Sequence, residues 1–329
     1  MEQIKQKLLN ILKNFKGKRI LVLGDVMLDK YIWGEVTRIS PEAPVQVVNV
    51  INETNSPGGA ANVAANVSSL GGTATMVGIV GQDHSKNTLI EELKKNKIDT
   101  SGILTDKDKP TIQKIRVMGR GQQLIRVDYE SKEHVHKSIE SSIISFAEKN
   151  IKNVDCVVMS DYSKGVITEN TSQKIIELAN KNKKPVVIDP KPSHKRLYKN
   201  ATLITPNLLE ANGMAGSEDF DDKDIKKTGQ KLVSELSSSV LITRSEKGMS
   251  LFEKNGKVTE LKANKREVFS IIGAGDTVVA TIALALSAGA DLKDACYLSN
   301  IAAGIKVGKI GTASVSIDEI KKEIESLKD

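Results

Sequence analysis

ILVLGD, residues 20–25, is a short apolar run closed by Gly24 and Asp25. It is too brief for a helix and too uniformly apolar for a strand with one wet face, so it reads as a strand buried on both sides. Runs of the same kind recur at 75–80, 154–159, 186–188, 201–204 and 240–243. Helix-like periodicity fills several of the intervals, as at 168–182 and 224–236. Repeated strand-then-helix order predicts an α/β fold, a doubly wound and mainly parallel sheet with helices on both faces. Polar residues follow the runs: Asp25, Ser160-Asp161, Asp189-Pro190-Lys191, Pro206-Asn207 and Arg244-Ser245-Glu246. Ligands of open parallel sheets bind outside the carboxyl ends of the strands, so these groups are expected to share one cleft.

Two stretches break the alternation, about 31–50 (with IWGEVTRISPEAPVQVVNV) and 110–129 (PTIQKIRVMGRGQQLIRVDY). Both read as strands with turns and predict a small accessory sheet, serving as a lid or a dimer contact. Residues 1–20 form an amphipathic, Lys-bearing surface helix without the apolar core of a signal peptide. No apolar run reaches the roughly 18 residues of a membrane span, so a cytoplasmic protein is expected. The 48 Lys and Arg against 41 Asp and Glu leave +7, spread singly along the chain, which speaks against a nucleic-acid partner. Cys156 and Cys296 stand far apart, and His84, His134, His136 and His194 show no metal-ligand spacing, so neither a disulfide nor a structural zinc is expected. One domain over 1–329 accommodates these features.

Four motifs carry candidate chemistry. In IGAGDTVV, 272–279, the glycines let amides converge at a helix N-terminus, a site for an anion. Asp276 there is either a helix cap or a base accepting a proton from an attacking hydroxyl. In PGGAANVAANVSSL, 57–70, two glycines precede a helix of small residues, with Asn62 in its first turn, capping it or facing a ligand. In TPNLLE, 205–210, Asn207 and Glu210 form a capping box or an oxygen pair for hydrated Mg²⁺. Lys114 and Arg116 share one strand face near Arg120 and Arg126, either solvated or binding a phosphorylated substrate. The chain has no GxxxxGK[ST], GxGxxG, HRD or DFG, which excludes P-loop, Rossmann and protein-kinase readings.

PGGAANVA, the NxxE of TPNLLE, and GAGD, in this order and spacing, resemble the signatures of the ribokinase (PfkB) family of carbohydrate kinases. Within it, GDVMLDKYIWGEVTRISPEAPVQVV, PTIQKIRVMGRGQQLIRVD, MSDYSKG, DPK, TRSEKGM and VGKIGTASVS resemble the branch that phosphorylates D-glycero-β-D-manno-heptose 7-phosphate at O1 for ADP-heptose, a lipopolysaccharide precursor. The resemblance implies a ribokinase-like fold, ATP and Mg²⁺, and a homodimer through the lid. It implies Asp276 as base, with Gly273, Ala274 and Gly275 as anion hole, and Asn207 and Glu210 organising Mg²⁺ through water. Leu208, Leu209, Thr243, Ser245, Glu246, Gly248, Asn300 and Gly304 are implied to line the nucleotide. Asp29, Gly58, Gly59 and Asn62 are implied to hold sugar hydroxyls, and Arg116, Gln123, Arg126, Asp161, Lys164 and Lys191 the rest of the heptose and its 7-phosphate. The chain departs from the pattern in three places. Ser270 stands where the family carries the Asp of its monovalent-cation site, with Ile272 for the usual Thr, which leaves potassium activation open. Gly121 replaces an Asn before the Gln pair, and no HxGH is present, so a nucleotidyltransferase half is not expected. A kinase for another sugar, or a binding protein derived from a kinase, are the alternatives.

Overall fold

The computed structural model describes residues 2–131, 133–217, 224–263, 268–309 and 314–327. In chain order the elements are α1 (Glu2–Lys13), β1 (Arg19–Gly24), β2 (Val26–Ile39), β3 (Gln46–Gly59), α2 (Ala60–Ser69), β4 (Thr73–Val80), α3 (His84–Lys95) and β5 (Asp99–Thr105). Next come β6 (Ile112–Gly119), β7 (Gln122–Tyr129), α4 (Lys137–Asn150), β8 (Cys156–Ser160), α5 (Glu169–Lys181), β9 (Val186–Asp189), β10 (Leu203–Ile204), α6 (Leu208–Ala215) and α7 (Ile225–Leu236). The chain continues through β11 (Ser239–Thr243), β12 (Met249–Phe252), β13 (Val258–Leu261), α8 (Ala274–Ser287), α9 (Leu292–Val307) and α10 (Ile317–Ser326).

Every expected core run becomes a strand of one nine-stranded sheet, ordered β13-β12-β11-β10-β9-β8-β1-β4-β5. From β11 to β5 the neighbours are parallel, and β12 alone is reversed, pairing antiparallel with both β11 and β13. Alternate residues feed two cores. Ile20 and Val22 of β1, with Cys156 and Val158 of β8, face the layer of α1, α2, α8, α9 and α10. Leu21, Leu23, Val157 and Met159 face the layer of α4, α5, α6 and α7. The amphipathic N-terminal helix belongs to the first layer and buries Leu8 and Leu12. The strands were legible because both faces are dry. Edge strand β5, DTSGILT, and the hairpin β12–β13 were not, since their polar residues interrupt the apolar signal.

The second sheet has four strands in the order β3-β2-β6-β7. It is longer than the sequence suggested: β2 starts at Val26 and β3 runs on to Gly59. Val26, Met27 and Leu28 are all buried where the two sheets meet, which removes the alternation that marks the rest of the strand. Asp25 alone separates β1 from β2, and α2 follows β3 with no loop. Among the described residues, no helix is long and apolar enough to cross a membrane.

Candidate active site

Three strand ends and two helix starts converge beside the lid. Asp276, the third residue of α8, is 7% exposed. Its Oδ2 accepts from Asn62 Nδ2 at 2.5 Å and its Oδ1 from the Tyr162 hydroxyl at 3.1 Å. The capping alternative is therefore not realised: the N-cap is Gly273, and the carboxylate turns away from the helix amides toward α2 and the loop after β8. Burial raises the Asp276 pKa to about 6, against the lowering effects of Asn62, Tyr162 and Lys306, with Asp29 adding to the rise. Burial also keeps the Tyr162 phenol protonated, and hence a donor. A carboxylate so placed is ionised at neutral pH and basic enough to take a proton.

Its supports are ordered in turn. Thr277 Oγ1 donates to Asn66 Oδ1 at 2.9 Å, and Asn66 Nδ2 donates to the Asn62 carbonyl at 2.8 Å. Gly273 has φ +76°, and a Cβ there would lie 2.8 Å from Asn62 Nδ2. Among the described residues, the N–H groups of Gly273 and Gly275 have no acceptor, while that of Ala274 bonds the Ile271 carbonyl at 3.2 Å. Two of the three amides expected to form an anion hole are thus open at the positive end of α8.

On the lid, Arg116 Nη1 meets Asp29 Oδ1 at 2.7 Å and stacks over the Tyr31 ring. Gly58 lies against Asp29, where a Cβ would come within 2.7 Å of Oδ2, and Gly59 takes φ +55°. Arg126 bonds Asp128 through Nε and Nη2 at 2.8 and 2.9 Å, on the same face as Lys114 and Arg116. Gln123 lies farther along β7, exposed and opposite Met118, away from Asp276 and its partners. On the main sheet, Lys164 pairs with Glu130 at 2.7 Å, and Lys191 with Glu210 at 3.2 Å while lying over the Tyr162 ring. Asp161, 1% exposed, accepts from the Ser163 N–H, the Tyr198 hydroxyl and His194 Nδ1, each at 2.7 Å.

Asn207 and Glu210 do form the capping box, with Asn207 as N-cap of α6. Glu210 Oε2 accepts the Asn207 N–H at 3.0 Å and Oε1 accepts Lys191. Both carboxylate oxygens are engaged, so this pair fits a hydrated cation held through water better than a direct ligand set. Leu208 packs on the core, while Leu209 is 62% exposed. Thr243 ends β11 and bridges to Asn207, and Ser245 and Glu246 form the exposed turn that follows. Gly248 returns at φ +87°, where any Cβ would strike the Leu261 carbonyl, so backbone packing alone requires this glycine. Asn300 Nδ2 holds the Lys262 carbonyl at 2.8 Å, and Gly304, one turn on, faces open space. Within VGKIGTASVS, residues 310–313 lie outside the described residues.

Sequence reasoning left several participants without a role. Tyr162 was inside a quoted motif but had no assigned part. Lys306 of α9 is 1% exposed and close enough to lower the Asp276 pKa. Asp25, fully buried after β1, accepts the N–H groups of Tyr162, Lys164 and Val166 and so shapes the loop carrying Tyr162. His194 reaches Asp161 through the fold and not through sequence spacing.

A ribokinase-like α/β sheet bearing a separate four-stranded lid defines the class of the molecule. The family described as pfkB family carbohydrate kinase matches residues 18–319. The chain is 42% identical over 313 residues, 95% of its length and 64% of the relative's, to the bifunctional protein HldE of Haemophilus influenzae (strain PittEE). It is 43% identical over 319 residues, 97% and 66% of the two lengths, to HldE of Aliivibrio fischeri (strain MJ11). The chain thus spans about 64% of the length of the former. The structure of Arabidopsis thaliana ribokinase complexed with ribose and ATP matches with TM-score 0.72 at 19% identity, covering 94% of this chain and 99% of that one. Escherichia coli phosphofructokinase-2 in complex with potassium matches with TM-score 0.74 at 19% identity, covering 94% and 98%. At such identity these two likenesses concern the fold. The chain belongs to the pfkB family of carbohydrate kinases. It is accordingly a phosphotransferase with a hydroxyl group as acceptor.

Proposed function

We propose that this protein transfers the γ-phosphoryl group of ATP to O1 of D-glycero-β-D-manno-heptose 7-phosphate, giving the 1,7-bisphosphate and ADP on the route to ADP-heptose. The observation that carries the reading is the Asp276 carboxylate, buried, held by Asn62 and Tyr162, and electrostatically coupled to Asp29 on the lid. A sugar hydroxyl lying between Asp29 and Asp276 gives its proton to Asp276 as the O1–P bond forms and the bond to the ADP oxygen breaks. The open amides of Gly273 and Gly275 then face the transferring phosphoryl group, with Ala274 joining them if its bond to Ile271 opens. Asp29, Gly58, Gly59 and Asn62 orient the sugar. Arg116, Gln123, Arg126, Asp161, Lys164 and Lys191 serve its far end and 7-phosphate, Asp161 by fixing the loop that carries Lys164.

Asn207 and Glu210 would hold Mg²⁺ through water, and the ion would neutralise phosphate charge. Leu208, Leu209, Thr243, Ser245, Glu246, Gly248, Asn300 and Gly304 border the nucleotide. The whole chain acts as one kinase domain, in the cytoplasm. The lid face opposite Arg116 carries Ile125 and Val127 of β7, 56% and 40% exposed, and pairs two copies into a homodimer. Size-exclusion chromatography with light scattering reads that state directly.

The test is phosphorylation of the heptose 7-phosphate beside ribose and fructose 6-phosphate, with and without potassium, using Asp276→Asn as control. Turnover confined to the heptose and lost in the control is expected. Faster turnover of another sugar would replace the substrate, and saturable heptose-phosphate binding without turnover would leave a binding protein. Equal rates without potassium would fit Ser270 in place of the family's Asp.

A further inference from the structure

A second cluster of ionisable side chains lies away from Asp276, at the root of the lid. Asp106 follows β5 directly, Asp108 lies two residues on, and His136 is the N-cap of α4 without a side-chain capping bond. One ligand atom from each lies within 4.8 Å of the other two. His136 Nε2 is 3.1 Å from Asp108 Oδ2. Asp106 is only 2% exposed; its Oδ1 accepts the Asp108 N–H at 3.0 Å, while its Oδ2, buried, has no hydrogen-bond partner among the described residues. Leaving a carboxylate oxygen dry and unbonded is costly, and proteins normally avoid it.

Lys109 is close enough to feel the charge of Asp106, and it does not remove that cost by contact. Its ammonium bonds the Glu133 and Lys164 carbonyls, and its field acts on Asp25 and Glu133 as well as Asp106. Asp108 and His136 are open to solvent, with side chains 76% and 66% exposed, which leaves an entry path and room for water.

We infer that Asp106, Asp108 and His136 bind a first-row divalent cation, of the Mn²⁺, Co²⁺ or Zn²⁺ type. Two carboxylate oxygens and one imidazole nitrogen suit such an ion better than Mg²⁺ or Ca²⁺, which take oxygen ligands. The site has a structural consequence. Thr111 N–H donates to Asp83 Oδ2 at 2.7 Å, and Thr111 Oγ1 accepts the Gly81 N–H at 2.9 Å, so the loop from Asp106 to β6 is already pinned to the end of β4. The cation adds a tie from that loop to the start of α4 and fixes the base of lid strand β6 from its other side.

The experiment titrates Co²⁺ alone into the full chain, free of nucleotide and Mg²⁺, reading stoichiometry by equilibrium dialysis and imidazole ligation by the visible Co²⁺ spectrum. One Co²⁺ per chain is expected, with a rise in thermal midpoint. Because Asp108 and His136 are exposed, Asp108→Ala and His136→Ala keep the fold, and each weakens binding by at least about tenfold. His134→Ala and Glu210→Gln leave it unchanged. Absence of saturable binding, or binding that survives the Asp108→Ala/His136→Ala double variant, overturns the assignment. So does binding lost in Glu210→Gln, which would put the ion at the phosphoryl-transfer site.

Discussion

The pocket around Asp276 and the lid around Arg116 solve opposite electrostatic problems. Asp276 has as direct hydrogen-bond partners two neutral donors, Asn62 and Tyr162, and a cation, Lys306, that acts on it through space. Burial dominates, so the carboxylate stays easier to protonate than an ordinary Asp. On the substrate side each expected cation has its own acid: Arg116 with Asp29, Arg126 with Asp128, Lys164 with Glu130 and Lys191 with Glu210. Under the proposed function the first arrangement tunes a proton acceptor. The second would store positive charge in pairs that an incoming phosphate can enter, at the cost of competing with carboxylates. That difference would separate turnover from capture, and variants on the two sides should split kcat from KM.

The largest effect belongs to Asp276→Asn. Removing a general base should cost about 10²- to 10⁴-fold in kcat with little change in sugar-phosphate binding. The same variant should gain stability. A carboxyl whose folded pKa lies near 6, above its unfolded value of 3.8, binds its proton more tightly when folded. Its ionisation therefore erodes stability as pH rises from about 4 to 6, a penalty of order 3 kcal/mol that persists above that range. Denaturant unfolding at pH 7.5 should find the variant more stable by about 1–3 kcal/mol, and equal to the parent near pH 4. In the parent, kcat/KM should fall below about pH 6. A flat profile from pH 5 to 8 would remove Asp276 from the proton transfer.

Arg116→Ala comes next. It leaves Asp29, 7% exposed, without its guanidinium, so KM for the sugar phosphate should rise about 10- to 100-fold while kcat changes less. An equal loss in kcat alone would merge the two regions into one functional unit. Tyr162→Phe is gentler. It deletes a donor that lowers the Asp276 pKa, so the acid limb of the pH profile should move upward, with only a several-fold loss of rate at pH 8. Glu130→Gln is the smallest. Freeing Lys164 from a partly exposed pair should tighten sugar-phosphate binding by about twofold to fivefold, seen by calorimetry, and weaker binding would mean that Glu130 positions Lys164 and does not compete for it.

The dry strands β1, β4, β8, β9 and β11 were plain in the sequence because a two-sided core leaves continuous apolar runs. Polar edge strand β5 was not, since little in DTSGILT distinguishes a strand from a loop. For the site, residues at strand ends and in Gly-rich turns were recoverable from position alone, which is how Asp25, Asp161, Asp189 and Asp276 drew notice. Whether Asp276 caps its helix or turns inward depends on Asn62 and Tyr162, 214 and 114 residues away, and no local pattern reports that. Asn207 and Glu210 teach the converse. Their three-residue spacing spells a capping box, the box is formed through Glu210 Oε2, and the other carboxylate oxygen, Oε1, accepts Lys191. His194 and His136 lay hidden because their partners come from distant segments.

The join between the two sheets constrains how the lid can move. A single residue, Asp25, carries the chain from β1 into β2; its carbonyl receives the Ala60 N–H at 3.1 Å where β3 passes into α2, and its carboxylate is held by backbone amides of the Tyr162 loop. The lid is therefore a cantilever clamped at its base, with no slack tether to swing on. Closure over a substrate must come from bending and twisting along the ribbon, and its tip, around 40–45 and 120–121, should travel farthest while the Asp29 end stays nearly still.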